Sequence, residues 1–339
     1  MEVELKLLLS PQDVPLLLSN RLLRSYALAA PRQQRMRDVY LDTPDLVLAR
    51  HGAGLRIRSV GQGWQQTFKA GGGVAAGLHS RHEWESDLAS PEPDLDALRA
   101  QMGRKRPWRD LLASPALRQQ LQTVFVTDIR RTVWDLHLPD GDEVEFVLDQ
   151  GELRSGERRA AVCEIEMELR SGDARHLAGF AQRLLETLPL RLGNVSKAER
   201  GYALFMPELA APMAVKARKL ILPPHATVEQ AFQAICANCL EQLQANEAGV
   251  IDAGDAESLH QMRVGLRRLR AALGQFRAVL PLPVSLVDDI DWLAAQLGPA
   301  RDWDVLAGTT LPALAAALAD PADEGTLQAA VAQQRGQMA

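Results

Sequence analysis

Met1-Glu2-Val3-Glu4-Leu5-Lys6-Leu7-Leu8-Leu9 opens the chain. In an extended strand, alternate side chains point to opposite faces. Glu2, Glu4 and Lys6 therefore share one face, and Val3, Leu5 and Leu7 share the other. Taken alone, this describes a sheet with one wet side. The pattern returns in nearly every later strand. Arg56 and Arg58 alternate with Leu55 and Ile57; Gln65, Thr67 and Lys69 fall on one face; Arg81, Glu83 and Glu85 alternate with His82 and Trp84. The most regular alternation is Cys163-Glu164-Ile165-Glu166-Met167-Glu168-Leu169-Arg170. Charges of both signs on one face of successive strands point to a barrel with an ionic interior, built to hold a polyanion and metal ions together.

Working outward, Ser10-Pro11-Gln12-Asp13 reads as a helix start, with the helix running to about Tyr26. Strands are expected at 34–42 and 55–58, and a further one from 65 ends at a Gly71-Gly72-Gly73 turn. Residues 91–120 predict two short helices outside the sheet. A long strand over 122–137 meets the hairpin signal Pro139-Asp140-Gly141-Asp142 and returns over 143–149. A helix over 173–187 and the segment from Asn194 to Gly201 complete an antiparallel α+β domain. The Pro-spaced stretch 206–225 reads as a linker. Helices are expected over 226–248, 256–280, 285–297, 302–319 and 324–337.

The 339 residues suffice for two domains with real cores. A net charge of -5 argues against a general nucleic-acid binder. Residues 1–217 hold 29 Lys and Arg against 29 Asp and Glu, so any basic site there must arise by sorting; residues 218–339 hold 9 against 14. Cys163, Cys236 and Cys239 make no disulfide framework, and the last two sit in an apolar helical run that reads as core. The acidic N-terminus is unlike a secretory signal, and no run of about 18 apolar residues appears. The expectation is a cytoplasmic protein with no membrane partner.

Residues two apart on a strand are about 7 Å apart. In an enclosed space Glu164, Glu166 and Glu168 could not all stay ionised without cations. With Glu2, Glu4, Glu145 and Asp149 added, an enclosed site calls for a hard divalent metal, Mg²⁺ or Mn²⁺. Lys6, Arg56, Arg58, Lys69, Arg81, Arg131 and Lys197 are spread over different strands. Arginine suits bidentate phosphate oxygens and lysine supplies point charge. Acids and bases together form the electrostatic apparatus that phosphoryl transfer requires.

These motifs resemble the CYTH superfamily, the triphosphate tunnel metalloenzymes. Glu2-x-Glu4-x-Lys6 is similar to its N-terminal signature. Leu55-Arg56-Ile57-Arg58, Thr67-Phe68-Lys69, Arg81-x-Glu83-x-Glu85, Arg131, Asp149, Glu164-x-Glu166-x-Glu168 and Ser196-Lys197-x-x-Arg200-Gly201 follow in order over residues 1–205. The resemblance implies a closed antiparallel eight-stranded β-tunnel with flanking helices. It implies metal at Glu2, Glu4, Asp149, Glu164 and Glu166, and phosphate at Lys6, Arg56, Arg58, Lys69, Arg81, Arg131, Lys197 and Arg200. Sequence alone does not fix whether Arg130 or Arg131 faces the tunnel. Glu2, Glu4 and Lys6 are the implied water-positioning groups.

In the tail, His260, Arg263, Arg267, Arg270 and Arg277 fall on one helical stripe, with Met262, Leu266, Leu269, Leu273 and Phe276 on another. His260-x-x-Arg263-x-x-x-Arg267-x-x-Arg270, with Arg301-Asp302-x-Asp304 later, resembles a CHAD domain, an all-α helical family associated with polyphosphate. Residues 226–339 leave room for only its first half. The combined order is similar to that of bacterial inorganic triphosphatases, which implies hydrolysis of tripolyphosphate to pyrophosphate and phosphate. Class IV adenylate cyclases and thiamine triphosphatases share the resemblance, and Trp64, Trp84 and Trp134 are candidates to stack on an organic group, although parity turns Trp84 away from the charged face. A non-catalytic polyphosphate-binding adaptor is the remaining reading.

Overall fold

A computed structural model describes residues 2–61, 63–75, 77–103, 106–209 and 214–311, together with 313, 325, 326, 329 and 330. The chain divides into two compact units, Met1–Ala211 and Pro212–Ala339.

The first unit is a barrel. Its strands are β1 (Glu2–Leu8), β2 (Arg32–Asp42), β3 (Ala53–Val60), β4 (Gly63–Ala75), β5 (Leu78–Leu88), β6 (Gln122–His137), β7 (Glu143–Ser155), β8 (Arg158–Ser171) and the two-residue β9 (Arg191–Leu192). Eight of these nine form an antiparallel ring in the order β5-β4-β3-β2-β6-β7-β8-β1, closed where β1 pairs with β5. The short β9 adds to β1 beyond that seam.

Charged faces turn inward, so the apolar faces turn outward and need cover. The helices α1 (Val14–Ser19), α2 (Arg21–Tyr26) and α7 (Ala174–Leu185) supply it on one side. There Leu17, Leu23, Leu177, Phe180 and Leu184 bury Leu5, Leu7, Phe146, Ile165 and Met167. The helices α4 (Leu95–Gln101), α5 (Arg106–Ala113) and α6 (Pro115–Gln120) cover Leu55, Ile57, Phe68 and Ala70 on the other. A short α3 (Val47–Arg50) follows β2, and α8 (Lys197–Phe205) packs through Tyr202 against Tyr40, Leu46, Val124 and Phe125 at one end of the tunnel.

Several elements differ from expectation for local reasons. The helix expected to Tyr26 breaks at Asn20, whose side chain accepts from the Leu23 N–H and caps a second helix. Gly71-Gly72-Gly73 is not a turn: β4 runs through it as a bulge, with a register shift between Ala70 and Gly73. Gly72 sits at φ +85°, and a side chain there would strike the Ser80 carbonyl. Residues 91–120 hold three helices, not two.

The second unit packs α9 (Val228–Ala245), α11 (Ala256–Phe276) and α12 (Val284–Val305) around Cys239, Leu243, Leu266, Leu269 and Leu273, with a short α10 (Glu247–Ile251) between the first two. The latter part of the expected linker is fastened here. Asn246 donates to and accepts from the Val215 backbone, each at 2.9 Å, and Asn238 donates to the Arg218 carbonyl at 3.2 Å. The helix α12 continues through Pro299 to Val305, joining the first of the two expected helices to the start of the second, whose end lies outside the described residues. The helix expected over 324–337 lies mostly outside the described residues. Among the described residues no helix is long and apolar enough to cross a membrane.

Candidate active site

Pairing register brings the sequence motifs together. Lys6 lies opposite Glu166, and Glu4 opposite Glu168, across β1 and β8. Asp149 of β7 lies opposite both Arg131 of β6 and Glu164 of β8. The Arg131 fork grips Asp149 at 2.8 and 2.6 Å and reaches Glu166 at 2.9 Å. Arg130 points outward to Gln150. The alternative left open by the sequence therefore resolves to Arg131.

Lys197 is the hub. As the first residue of α8, after the Ser196 capping box, it bonds to Asp149 at 2.8 Å, Glu164 at 2.5 Å and Glu166 at 2.8 Å. Asp149 is fully buried and Glu164 is 1% exposed. Lys6, also buried, bonds to Glu166 and to Glu4 at 2.9 Å. Arg200, one turn beyond Lys197, meets Glu164 at 3.2 Å.

Along the opposite wall, Asp38 takes both arms of Arg58 at 2.7 Å and lies 3.6 Å from Arg56. Arg56 lies 3.7 Å from both Glu83 and Glu85, and Lys69 is 3.3 Å from Glu83. Arg81 approaches Glu199 of α8 at 3.4 Å. The structure thus collects Glu4, Lys6, Arg56, Arg58, Lys69, Arg81, Arg131, Asp149, Glu164, Glu166, Lys197 and Arg200 in one walled space. The Glu2 backbone lies opposite Arg81, and its side chain is outside what the structure describes. Asp38 was missed because a lone acid between Arg37 and Val39 breaks no pattern.

Burial disfavours charge, and mutual pairing reverses that for Glu166, Asp149, Asp38 and Lys197. Burial opposes ionisation of Glu166, but Lys197, Lys6 and Arg131 hold its carboxyl well below the usual range. Asp149 is held low against burial by Lys197 and Arg131, and Asp38 by Arg58 and Arg56. Burial likewise opposes the ammonium of Lys197, which Asp149, Glu164 and Glu166 keep charged well above its ordinary pKa.

The donor set of Glu4, Asp149, Glu164 and Glu166 is all oxygen, which fits a hard divalent cation. In this structure lysines and arginines answer these carboxylates. Among the described residues, the acidic and His side chains whose donor atoms gather within 4.8 Å are elsewhere, at Asp140, Asp142 and His176. There Asp142 accepts from the Asp173 N–H and meets His176, each at 2.7 Å, pinning the β6–β7 hairpin to α7.

On α11, His260 and Arg263 are half-buried while Arg267 and Arg270 are exposed, and Arg270 pairs with Asp291 at 2.6 Å. Arg268, which was not anticipated, turns inward to Gln242 at 2.8 Å and Asn238 at 2.6 Å.

The sequence model of the CYTH domain matches residues 1–202, and that of the CHAD domain matches residues 234–339. The inorganic triphosphatase of Haemophilus influenzae is 34% identical over 206 residues, covering 60% of this chain and 54% of that protein. The chain spans about half the length of the curated relatives it matches. Among solved structures, a Hippeastrum protein described as a putative adenylyl cyclase with a dominant triphosphatase activity is 21% identical, covers 61% of this chain and 96% of its own, and has a TM-score of 0.43. The CHAD domain of the plant Ricinus communis is 46% identical, covers 37% of this chain and 42% of its own, and has a TM-score of 0.34.

Proposed function

Since this chain belongs to the CYTH domain family, we propose that its tunnel hydrolyses inorganic triphosphate to pyrophosphate and phosphate. One observation carries the reading. Buried acids and bases from separate strands face one another in an enclosed space, with Lys197 bonded to three carboxylates at once. Such a space presents preorganised cations to a phosphate chain and carboxylates to a metal or a water. The name of the Haemophilus influenzae relative supports the substrate class.

In this reading Lys6, Arg56, Arg58, Lys69, Arg81, Arg131, Lys197 and Arg200 take up phosphoryl oxygens. Glu2, Glu4, Asp149, Glu164 and Glu166 would hold Mg²⁺ or Mn²⁺, which supplies charge neutralisation at the reacting phosphate. A water oriented by Glu2, Glu4 and Lys6 attacks the terminal phosphorus in line. The P–O–P bond breaks, and pyrophosphate leaves with its charge spread over the bases. The tryptophans favour an inorganic substrate: Trp64 and Trp84 pack in the outer layer under α4 to α6, and Trp134 in the layer under α7. They are turned from the tunnel, unable to stack on a ring inside it.

The helical unit is proposed to bind long-chain polyphosphate through His260, Arg263, Arg267 and Arg270. The unbridged thiols of Cys163, Cys236 and Cys239 suit a reducing cytoplasm.

The deciding experiment is phosphate release from tripolyphosphate, ATP and thiamine triphosphate with Mg²⁺ or Mn²⁺. Tripolyphosphate should be turned over fastest, and Glu4→Gln should abolish turnover while preserving the fold. Full activity of Glu4→Gln would defeat the role given to that carboxylate, and preference for an organic triphosphate would move the assignment.

A further inference from the structure

At the end of the tunnel that α8 caps lies a cavity of about 580 Å³, within the size range of small-molecule sites. Small residues such as Gly54, Gly72 and Ala198 form much of its wall, and Arg81, Glu199 and Tyr202 bring polar groups to it. Tyr202 is 8% exposed, and its hydroxyl has no hydrogen-bond partner among the described residues. Its ring is fixed edge-on against Phe125, with centroids 5.2 Å apart.

A buried hydroxyl is ordinarily satisfied. Here Gly54, an inward position in step with Arg56 and Arg58, lies against it, and both residues line the cavity. A Cβ on Gly54 would come within 3.2 Å of the hydroxyl oxygen. Burial, with Asp42 and Tyr40 nearby, holds the phenol protonated well above its ordinary pKa, so the group stays a donor. Lys6, Arg58, Arg131 and Lys197 already hold carboxylates, which an incoming phosphate must displace. The Tyr202 O–H serves no such partner among the described residues.

We propose that this cavity is a subsite for the phosphoryl group at the α8 end of the substrate, with the Tyr202 hydroxyl donating to a phosphoryl oxygen beside Arg81. The proposal rests on the triphosphate reading and adds a neutral donor to it.

The test is Tyr202→Phe in the full chain. Without ligand its melting midpoint matches or exceeds that of the wild type, because the lost hydroxyl had no partner. With tripolyphosphate and EDTA, the ligand-induced rise in melting temperature shrinks. In turnover assays KM for tripolyphosphate rises about tenfold while kcat stays within about twofold. Gly54→Ala, which intrudes on the same space, also raises KM. The subsite is overturned if the wild type binds and hydrolyses tripolyphosphate while Tyr202→Phe equals it in KM and ligand-induced stabilisation. Earlier melting of the unliganded variant would also overturn it, by revealing an internal partner. Failure of the triphosphate reading looks different: the wild type then shows neither turnover nor stabilisation by tripolyphosphate, and the subsite falls with it.

Discussion

Lys197 shows how closely the tunnel balances its charges. Its ammonium serves Asp149, Glu164 and Glu166 together. Removing one partner of a buried ion pair costs roughly 3–5 kcal/mol, because the other charge is stranded. Lys197→Met should therefore lower stability at pH 7 by about that amount. The deficit should narrow near pH 4, where the stranded carboxylates can take protons. Denaturant unfolding of both proteins at the two pH values checks this, and an equal deficit at both would mean that Lys197 contributes packing rather than charge. Residue identity at such positions was legible wherever acids or bases recur every second position, as in Glu164, Glu166 and Glu168. Asp38 escaped because one isolated carboxylate carries no period. Its importance comes from Arg56 and Arg58, neighbours only in the folded sheet. The Tyr202 hydroxyl escaped because what singles it out is a missing partner.

Elements were legible where polarity alternates and obscure where backbone conformation decides. The strand over 122–137 follows from its pattern, and the structure has it as Gln122–His137. Three successive glycines read as a turn, but they serve a bulge, since only glycine tolerates the approach of Ser80. Pro299 reads as a helix stop, yet packing of Leu293, Ala294 and Leu297 into the second core carries α12 across it. The capping helix α8 depends on one close approach, because any side chain at Gly201 would run into the Phe125 ring. Gly201→Val should cost about 1–3 kcal/mol by overpacking. It should also lower tripolyphosphate turnover by shifting Lys197 and Arg200 on the same helix; normal stability with normal kinetics would show that α8 tolerates displacement. On α11, Arg263→Ala with Arg267→Ala should weaken retention of long-chain polyphosphate and spare tripolyphosphate hydrolysis. Loss of hydrolysis in that pair would contradict the proposed division of labour.

At the scale of the whole molecule, the barrel inverts the usual arrangement by keeping ions inside and hydrocarbon outside under helices. Its stability is accordingly tied to pH. The carboxyls of Asp38, Asp149 and Glu166 are held below their ordinary pKa by lysines and arginines that outweigh burial. Their contribution is complete above the unfolded values near pH 4 and is lost as pH falls toward the depressed folded ones. Lys197 is shifted upward, so its contribution is complete below about pH 10 and fades as pH rises through its folded value. Melting temperature should thus hold a plateau between about pH 5 and pH 9 and drop on both sides. A midpoint that keeps rising below pH 4 would contradict the ionic interior.

The seam between β1 and β8 has a temporal consequence. Lys6 and Glu166, which meet across it, are separated by 160 positions in the chain. During synthesis the opening strand emerges long before that partner exists, and joining the two closes a very large loop. Until β8 arrives, one edge of β1 offers unpaired peptide groups beside a greasy face, a surface prone to false pairing. A nascent chain stalled before residue 158 should therefore lean on chaperones far more than one released after residue 171.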